Sequence, residues 1–301
     1  MSAKNFRGVF AIPVTPFDRQ GELDEASLRR CVDFCVKGGA HGIVAPVNAS
    51  EFYTLTDDER QRVAQIIIAQ TNGRIPVVIG TSGVSTKHAV ELSRHAEAVG
   101  ADAVIAMPPY VRKAPPAEIY EYFRALSDAV TIPIFIQDYI APVGTPMSAD
   151  LLSRMICELD HVEYLKEEAV PAGQMMTTVM RKTGARLKGV MGGAAGRYLL
   201  DEYRRGACGT MPACEVVDLH VQLWDLLDSG KEVEARAFFT KLLPLLNIES
   251  LYSFTVYKYV LHRRGVIDYT TTRAAGAGVL DEFDLQELDA VLQELEPLFR
   301  L

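Results

Sequence analysis

The chain has no stretch of about 18 consecutive apolar residues, which excludes a transmembrane helix and with it a membrane partner. Its opening, Met1-Ser2-Ala3-Lys4-Asn5-Phe6-Arg7, has no apolar core of the kind a secretory leader carries, which points to a cytoplasmic protein. Positive charge is short: 31 Lys and Arg stand against 39 Asp and Glu. The resulting net charge of -8 argues against a nucleic-acid surface and otherwise bears only on solubility. Cysteine is sparse and odd in number, with five residues and no CxxC pair. Cys31 and Cys35 share one face of a helical pattern rather than forming a zinc knuckle, so reduced thiols are expected. No His/Asp/Glu cluster has ligand spacing, so no metal is expected. No Gly-rich dinucleotide fingerprint follows the first apolar run, where Pro13-Val14-Thr15-Pro16 stands instead.

What is present is a long alternation. The 301 residues are 49% hydrophobic and 23% charged, enough for one large core or two smaller ones. Short apolar runs at 8–14, 41–45, 76–80, 102–107, 132–137, 162–168, 186–191 and 206–211 read as strands. Between and after them lie helical patterns with recognisable starts. Asp24 precedes one over 25–37 that closes at Gly38-Gly39, and Thr56-Asp57-Asp58-Glu59 is a capping-box sequence. Others are expected at 85–100, 117–130, 148–159, 172–183, after Gly192-Gly193 to Arg205, and at 215–227. Eight strand-helix units in about 220 residues predict an α/β fold, a (β/α)8 TIM barrel over 1–228. Residues 229–301 lack strand patterning and predict a C-terminal appendage of three helices near 231–246, 249–263 and 281–298.

One strand is anomalous. Val162-Glu163-Tyr164-Leu165-Lys166-Glu167-Glu168 carries a lysine where a buried parallel strand should be apolar. Side chains alternate, so Tyr164, Lys166 and Glu168 share one face while Leu165 and Glu167 share the other. Lys166 and Glu168 therefore form either a strand-end ion pair or a catalytic amine with an acid/base partner. The barrel favours the second reading, because chemistry in that fold sits at the C-terminal ends of the strands. Burial favours an uncharged amine, and that is the form that attacks a ketone to build a Schiff base.

This lysine strand, the Ala11-Ile12-Pro13-Val14-Thr15-Pro16-Phe17 opening, Pro108-Pro109-Tyr110 after strand four and the helical C-terminus resemble the dihydrodipicolinate synthase/N-acetylneuraminate lyase family of Schiff-base lyases. The resemblance runs through nearly the whole chain and implies a homotetramer. It also exposes departures. The family loop after strand two, Gly-Thr-Thr/Ser-Gly-Glu, is here Val47-Asn48-Ala49-Ser50-Glu51, so Asn48 and Ala49 occupy the carboxylate-binding positions. The strand-five tyrosine of the family is replaced by Gln137, with Tyr139 two residues later as a possible stand-in. The synthase's second tyrosine aligns with Val111, and its substrate-carboxylate arginine with Pro142. Ile136-Gln137-Asp138 and Lys166-Glu167-Glu168 instead resemble a branch of 2-keto-3-deoxy sugar acid dehydratases, of the L-2-keto-3-deoxyarabonate type.

The resemblance implies Lys166 as the imine-forming residue, Glu168 as the acid/base and Tyr139 as its possible substitute. Asn48, Ala49, Gln137, Gly192 and Met211 are expected to meet a small-molecule 2-keto acid. Gly and Ala between 189 and 196 leave room for a substrate backbone, although helix packing explains such runs equally well. No organic cofactor is expected, since the lysine itself supplies the electron sink. Two rival outcomes stay open: an aldolase using the same iminium to release pyruvate, and a keto-acid-binding barrel without catalysis.

Overall fold

The computed structural model describes residues 5–139 and 144–301. Eight parallel strands close into a barrel in sequence order. They are β1 (Gly8–Ala11), β2 (Gly42–Ala45), β3 (Val77–Gly80), β4 (Ala103–Ala106), β5 (Ile134–Asp138), β6 (Val162–Glu167), β7 (Gly189–Gly192) and β8 (Gly209–Thr210). The intervening helices are α1 (Glu25–Lys37), α2 (Asp57–Thr71), α3 (Thr86–Ala98), α4 (Pro116–Ser127), α5 (Ala149–Glu158), α6 (Ala172–Thr183), α7 (Leu199–Arg204) and α8 (Val217–Asp228). The (β/α)8 expectation therefore holds. Most strand residues are buried irrespective of the face they occupy, as expected where one face fills the barrel and the other meets helices.

Local chemistry sets the helix starts. Asp24, Thr56, Ser85 and Ser148 each accept a backbone N–H of the first turn, and Thr56 with Glu59 completes the reciprocal capping box. Several strands are shorter than expected: β1 stops at Ala11, and β7 and β8 lose residues for identifiable reasons. β7 starts at Gly189, because residues 184–186 form a 3-10 turn whose Arg186 guanidinium donates to the carbonyls of Ile156 (3.1 Å) and Leu159 (2.9 Å). An arginine with those partners cannot occupy a strand interior. β8 shrinks to two residues, though Met211 N–H extends its pairing to the Gly192 carbonyl at 3.0 Å.

The chain divides into two compact units. The first contains β3 to β8 and α3 to α7, together with the described N-terminal residues 5–7. On its inward strand face Phe135 stacks on Tyr164 with centroids 4.4 Å apart, and Phe6 meets both edge-on. Gln137 and Lys166, two residues further along β5 and β6, are register partners directly beyond this aromatic layer. An apolar floor thus sits beneath a polar layer at the strand ends.

The second unit holds β1, β2, α1, α2, α8 and the three C-terminal helices α9 (Glu232–Tyr252), α10 (Phe254–Arg263) and α11 (Glu282–Leu295). The first of these was expected to stop near 246. It runs six residues further, through Pro244, and breaks only at Ser253, whose φ is +47°. Burial of Leu242, Leu245 and Leu246 offsets the backbone bond that proline removes. Lys258 of α10 is fully buried and donates to Glu51, which follows β2, and to the Thr271 carbonyl at 2.8 Å. Glu51 also accepts the backbone N–H groups of Arg273 and Ala274, each at 2.9 Å. The glutamate retained from the family loop is here an internal anchor for the 271–274 segment.

Candidate active site

β5 and β6 carry buried polar side chains at their C-terminal ends. Gln137, Asp138, Lys166 and Glu167 are all buried there, and such groups persist in a core only when they are paired. The pairing follows strand alternation. On the inward face, Lys166 Nζ lies 3.0 Å from Glu168 Oε2, with the two side chains only 4% and 8% exposed. Gln137 Nε2 donates to the same Glu168 oxygen at 2.7 Å. One carboxylate oxygen is thereby held between an amine and an amide, which orients it without saturating the amine. The Glu168 N–H continues the ladder to the Asp138 carbonyl at 3.0 Å, so its backbone is fixed as well.

On the opposite face, Asp138 and Glu167 are register partners. Burial raises both carboxyls, Glu167 to about 10 with the Asp138 charge adding to the effect. Glu167 therefore keeps its proton at neutral pH and donates it to Asp138, and its Oε1 accepts the Ala169 N–H at 2.7 Å. This pair lies on the outer side of the β5–β6 end, while Gln137, Lys166 and Glu168 lie on the inner side.

The end of β7 is shaped by absent side chains. A Cβ at Gly193 would collide with the Glu168 carboxyl, and one at Gly192 would collide with the Glu202 carboxyl. These two glycines, expected to leave room for substrate, leave room for two acids of the protein itself. Glu202 on α7 is 1% exposed, and neither of its oxygens has a hydrogen-bond partner among the described residues. Burial pushes its carboxyl up to about 8, helped by the neighbouring charges of Glu168 and Asp201. Sequence reasoning missed Glu202, because Asp201-Glu202 in a short helix reads as a solvated face. The Gly192-Gly193 pair was the signal that could have found it.

Lys166, Glu168 and Gln137 are brought together as expected. Met211 is buried beyond β8, bonded through its backbone to Gly192. Tyr139 is the first residue after β5 and is half-buried. Asn48 and Ala49, also half-buried, form a 3-10 turn after β2 with Ser50, whose Oγ donates to the Pro13 carbonyl at 2.7 Å. The Thr15 hydroxyl donates in turn to the Ser50 carbonyl at 2.7 Å, tying the loop after β1 to the loop after β2. Val111 is 70% exposed, and Pro142 lies outside the described residues. No group of three or more His, Cys, Asp or Glu among the described residues could hold a metal ion. No described helix is long and apolar enough to cross a membrane, and all five cysteines are free.

Comparison with known proteins finds relatives along the whole chain. The chain is 34% identical over 300 residues to the L-2-keto-3-deoxyarabonate dehydratase of Azospirillum brasilense, covering 99% of this chain and 97% of that one. It is 38% identical over 187 residues to the 4-hydroxy-tetrahydrodipicolinate synthase of Pelobacter propionicus, but over only 62% of this chain and 63% of the synthase. Among solved structures, the dihydrodipicolinate synthase of Rhodopseudomonas palustris superposes with a TM-score of 0.89 at 28% identity, covering 98% of this chain and all of that one. The model of the dihydrodipicolinate synthetase family matches residues 5–295, and the chain belongs to that family.

Proposed function

We propose that the protein is a Schiff-base lyase that dehydrates a 2-keto-3-deoxy aldonic acid, with a pentonate of the L-2-keto-3-deoxyarabonate kind as the expected substrate. The observation that carries this reading is the buried Lys166–Glu168 pair with Gln137 in place of a tyrosine. Lys166 Nζ attacks the C2 ketone and the carbinolamine loses water to give the iminium. That cation acidifies C3, and Glu168 removes a proton there. The enamine then expels the C4 hydroxyl, which leaves as water after taking up a proton from Glu168. The unsaturated iminium then loses a C5 proton and takes one up at C3, which leaves a C4–C5 enol; hydrolysis of the imine restores the amine, and the enol becomes the C5 aldehyde of the product. Glu168 is well suited to both proton transfers, because its reacting oxygen lies within hydrogen-bond reach of the amine that carries the substrate. Similarity to a dehydratase over 99% of the chain favours this outcome, since the synthase match quoted above covers only 62%.

Product analysis on 2-keto-3-deoxypentonates tests the reading. A dehydrated keto-acid semialdehyde is expected, and release of pyruvate with an aldehyde would make the protein an aldolase instead. Borohydride reduction in the presence of pyruvate, read by intact mass, separates either enzyme from a barrel that only binds keto acids. No condensation of pyruvate with aspartate semialdehyde is expected, because Gln137, Val111 and Pro142 replace the synthase's two tyrosines and its arginine. A homotetramer, expected from the family, is checked by light scattering on the purified protein.

A further inference from the structure

Glu202 has no part in the mechanism above, yet it is the most unusual acid near it. A glutamate at 1% exposure normally binds a cation or several N–H groups, and neither oxygen of this one has a partner among the described residues. Its carboxyl fills the space beside Gly192, and the next residue, Gly193, makes the matching space for the carboxyl of Glu168. The two acids therefore abut consecutive residues of one segment that carries no side chains. The groups that act electrostatically on Glu202 are Glu168, from the end of β6, and Asp201, from its own helix. Asp201 is in turn bonded to Arg205 at 2.8 Å, and Glu168 to Lys166 at 3.0 Å.

We infer that Glu202 is a positioning residue, which stays neutral behind β7 while Glu168 works and sets the alkaline limit of proton transfer at Glu168. The inference rests on the roles proposed above for Lys166 and Glu168. While Glu202 keeps its proton, it adds no negative charge beside the Glu168 carboxyl at the glycine pair. Burial delays the ionisation of Glu202 to about pH 8. Once it ionises, a second negative charge enters a poorly solvated site. That charge stands beside the carboxylate that carries both proton transfers, and 3.0 Å from it lies the Lys166 amine that forms the imine, so both meet an unfavourable field during the reaction. Activity should fall although neither reacting residue has changed. Gly192 matters because a methyl group there would occupy the place of the Glu202 carboxyl.

The test compares dehydration rates between pH 6 and 9.5 for the wild type, Glu202→Gln and Glu202→Met, each normalised to its own maximum. Gln keeps the shape of the acid without its titration. Met replaces it with an apolar chain should the buried amide prevent folding. Asp138 and Glu167 also have displaced titrations, but they remain in all three proteins, so the difference isolates Glu202. The wild type should lose about tenfold by pH 9, one unit above an inflection at about 8, while the variants lose less than about threefold. An alkaline inflection left in place in folded variants overturns the inference, as does a uniform loss of rate at every pH. Cyanoborohydride trapping of pyruvate on the wild type runs alongside. Absence of an adduct at Lys166 would sink the underlying mechanism and the inference with it, whereas an adduct combined with an unmoved inflection sinks the inference alone.

Discussion

Glu168→Gln is the substitution that tests the site most directly. The side chain keeps its length and can still accept from Gln137, whose Nε2 lies 2.7 Å from the oxygen concerned. What it loses is the charge beside Lys166 Nζ, now 3.0 Å away, and the capacity to carry a proton. A correctly placed general acid or base contributes about 10²–10⁴-fold, and Glu168 serves both proton transfers in the proposed cycle. Dehydration is therefore expected to fall by about that factor. Imine formation should survive, because it needs the free amine of Lys166 rather than the carboxylate. The removal also leaves Lys166 in a site where its side chain is 4% exposed. Breaking a buried pair from one side costs about 3–5 kcal/mol when the remaining charge persists. The assay pairs two readings on one preparation: pyruvate trapping by borohydride, and steady-state release of dehydrated product. Loss of trapping in parallel with turnover would show that Glu168 serves imine formation alone. Near-normal turnover would remove it from the chemistry and make Tyr139 the leading acid/base.

Lys166→Ala and Lys166→Arg should both abolish the borohydride adduct, since a guanidinium remains protonated and forms no imine; a labelled peptide centred on Lys113, or on Lys188, which pairs with Glu163 at 2.7 Å, would refute the assignment. Glu51→Gln leaves the fully buried Lys258 without a counter-charge and should cost about 3–5 kcal/mol, read as a melting temperature several degrees lower, and an unchanged melt would contradict the anchor role. Glu202 ionises from about 4.5 when unfolded but only at about 8 when folded, so the folded state binds the extra proton across that window. Stability should fall as pH rises from about 4.5 to about 8, by at most roughly 1.4 kcal/mol per unit from this group, and a melt difference between wild type and Glu202→Gln that does not change from pH 5.5 to 8.5 would refute it.

The division between what a linear reading reveals and what folding adds is clearest residue by residue. Period-two alternation alone places Lys166 and Glu168 on one face, because strand geometry is local and leaves little choice. Eight repeats of strand and helix implied the barrel for the same reason, and Asp24, Thr56, Ser85 and Ser148 marked helix starts through chemistry that spans only three residues. Gln137 could be suspected from its place on strand five, but its bond to Glu168 depends on the register between β5 and β6, a contact 31 residues apart in sequence. Glu51 reads as a relic of a loop motif until Lys258, 207 residues later, folds against it. Glu202 is the extreme case, with a surface-helix sequence and a buried carboxyl. Its burial is decided by how α7 packs behind β7, and its raised affinity for a proton by a charge brought from β6. Desolvation and long-range charge depend on what the rest of the chain places nearby, so pattern alone singled out the strand-six lysine and the fold, and only tertiary packing decided which acids keep their protons.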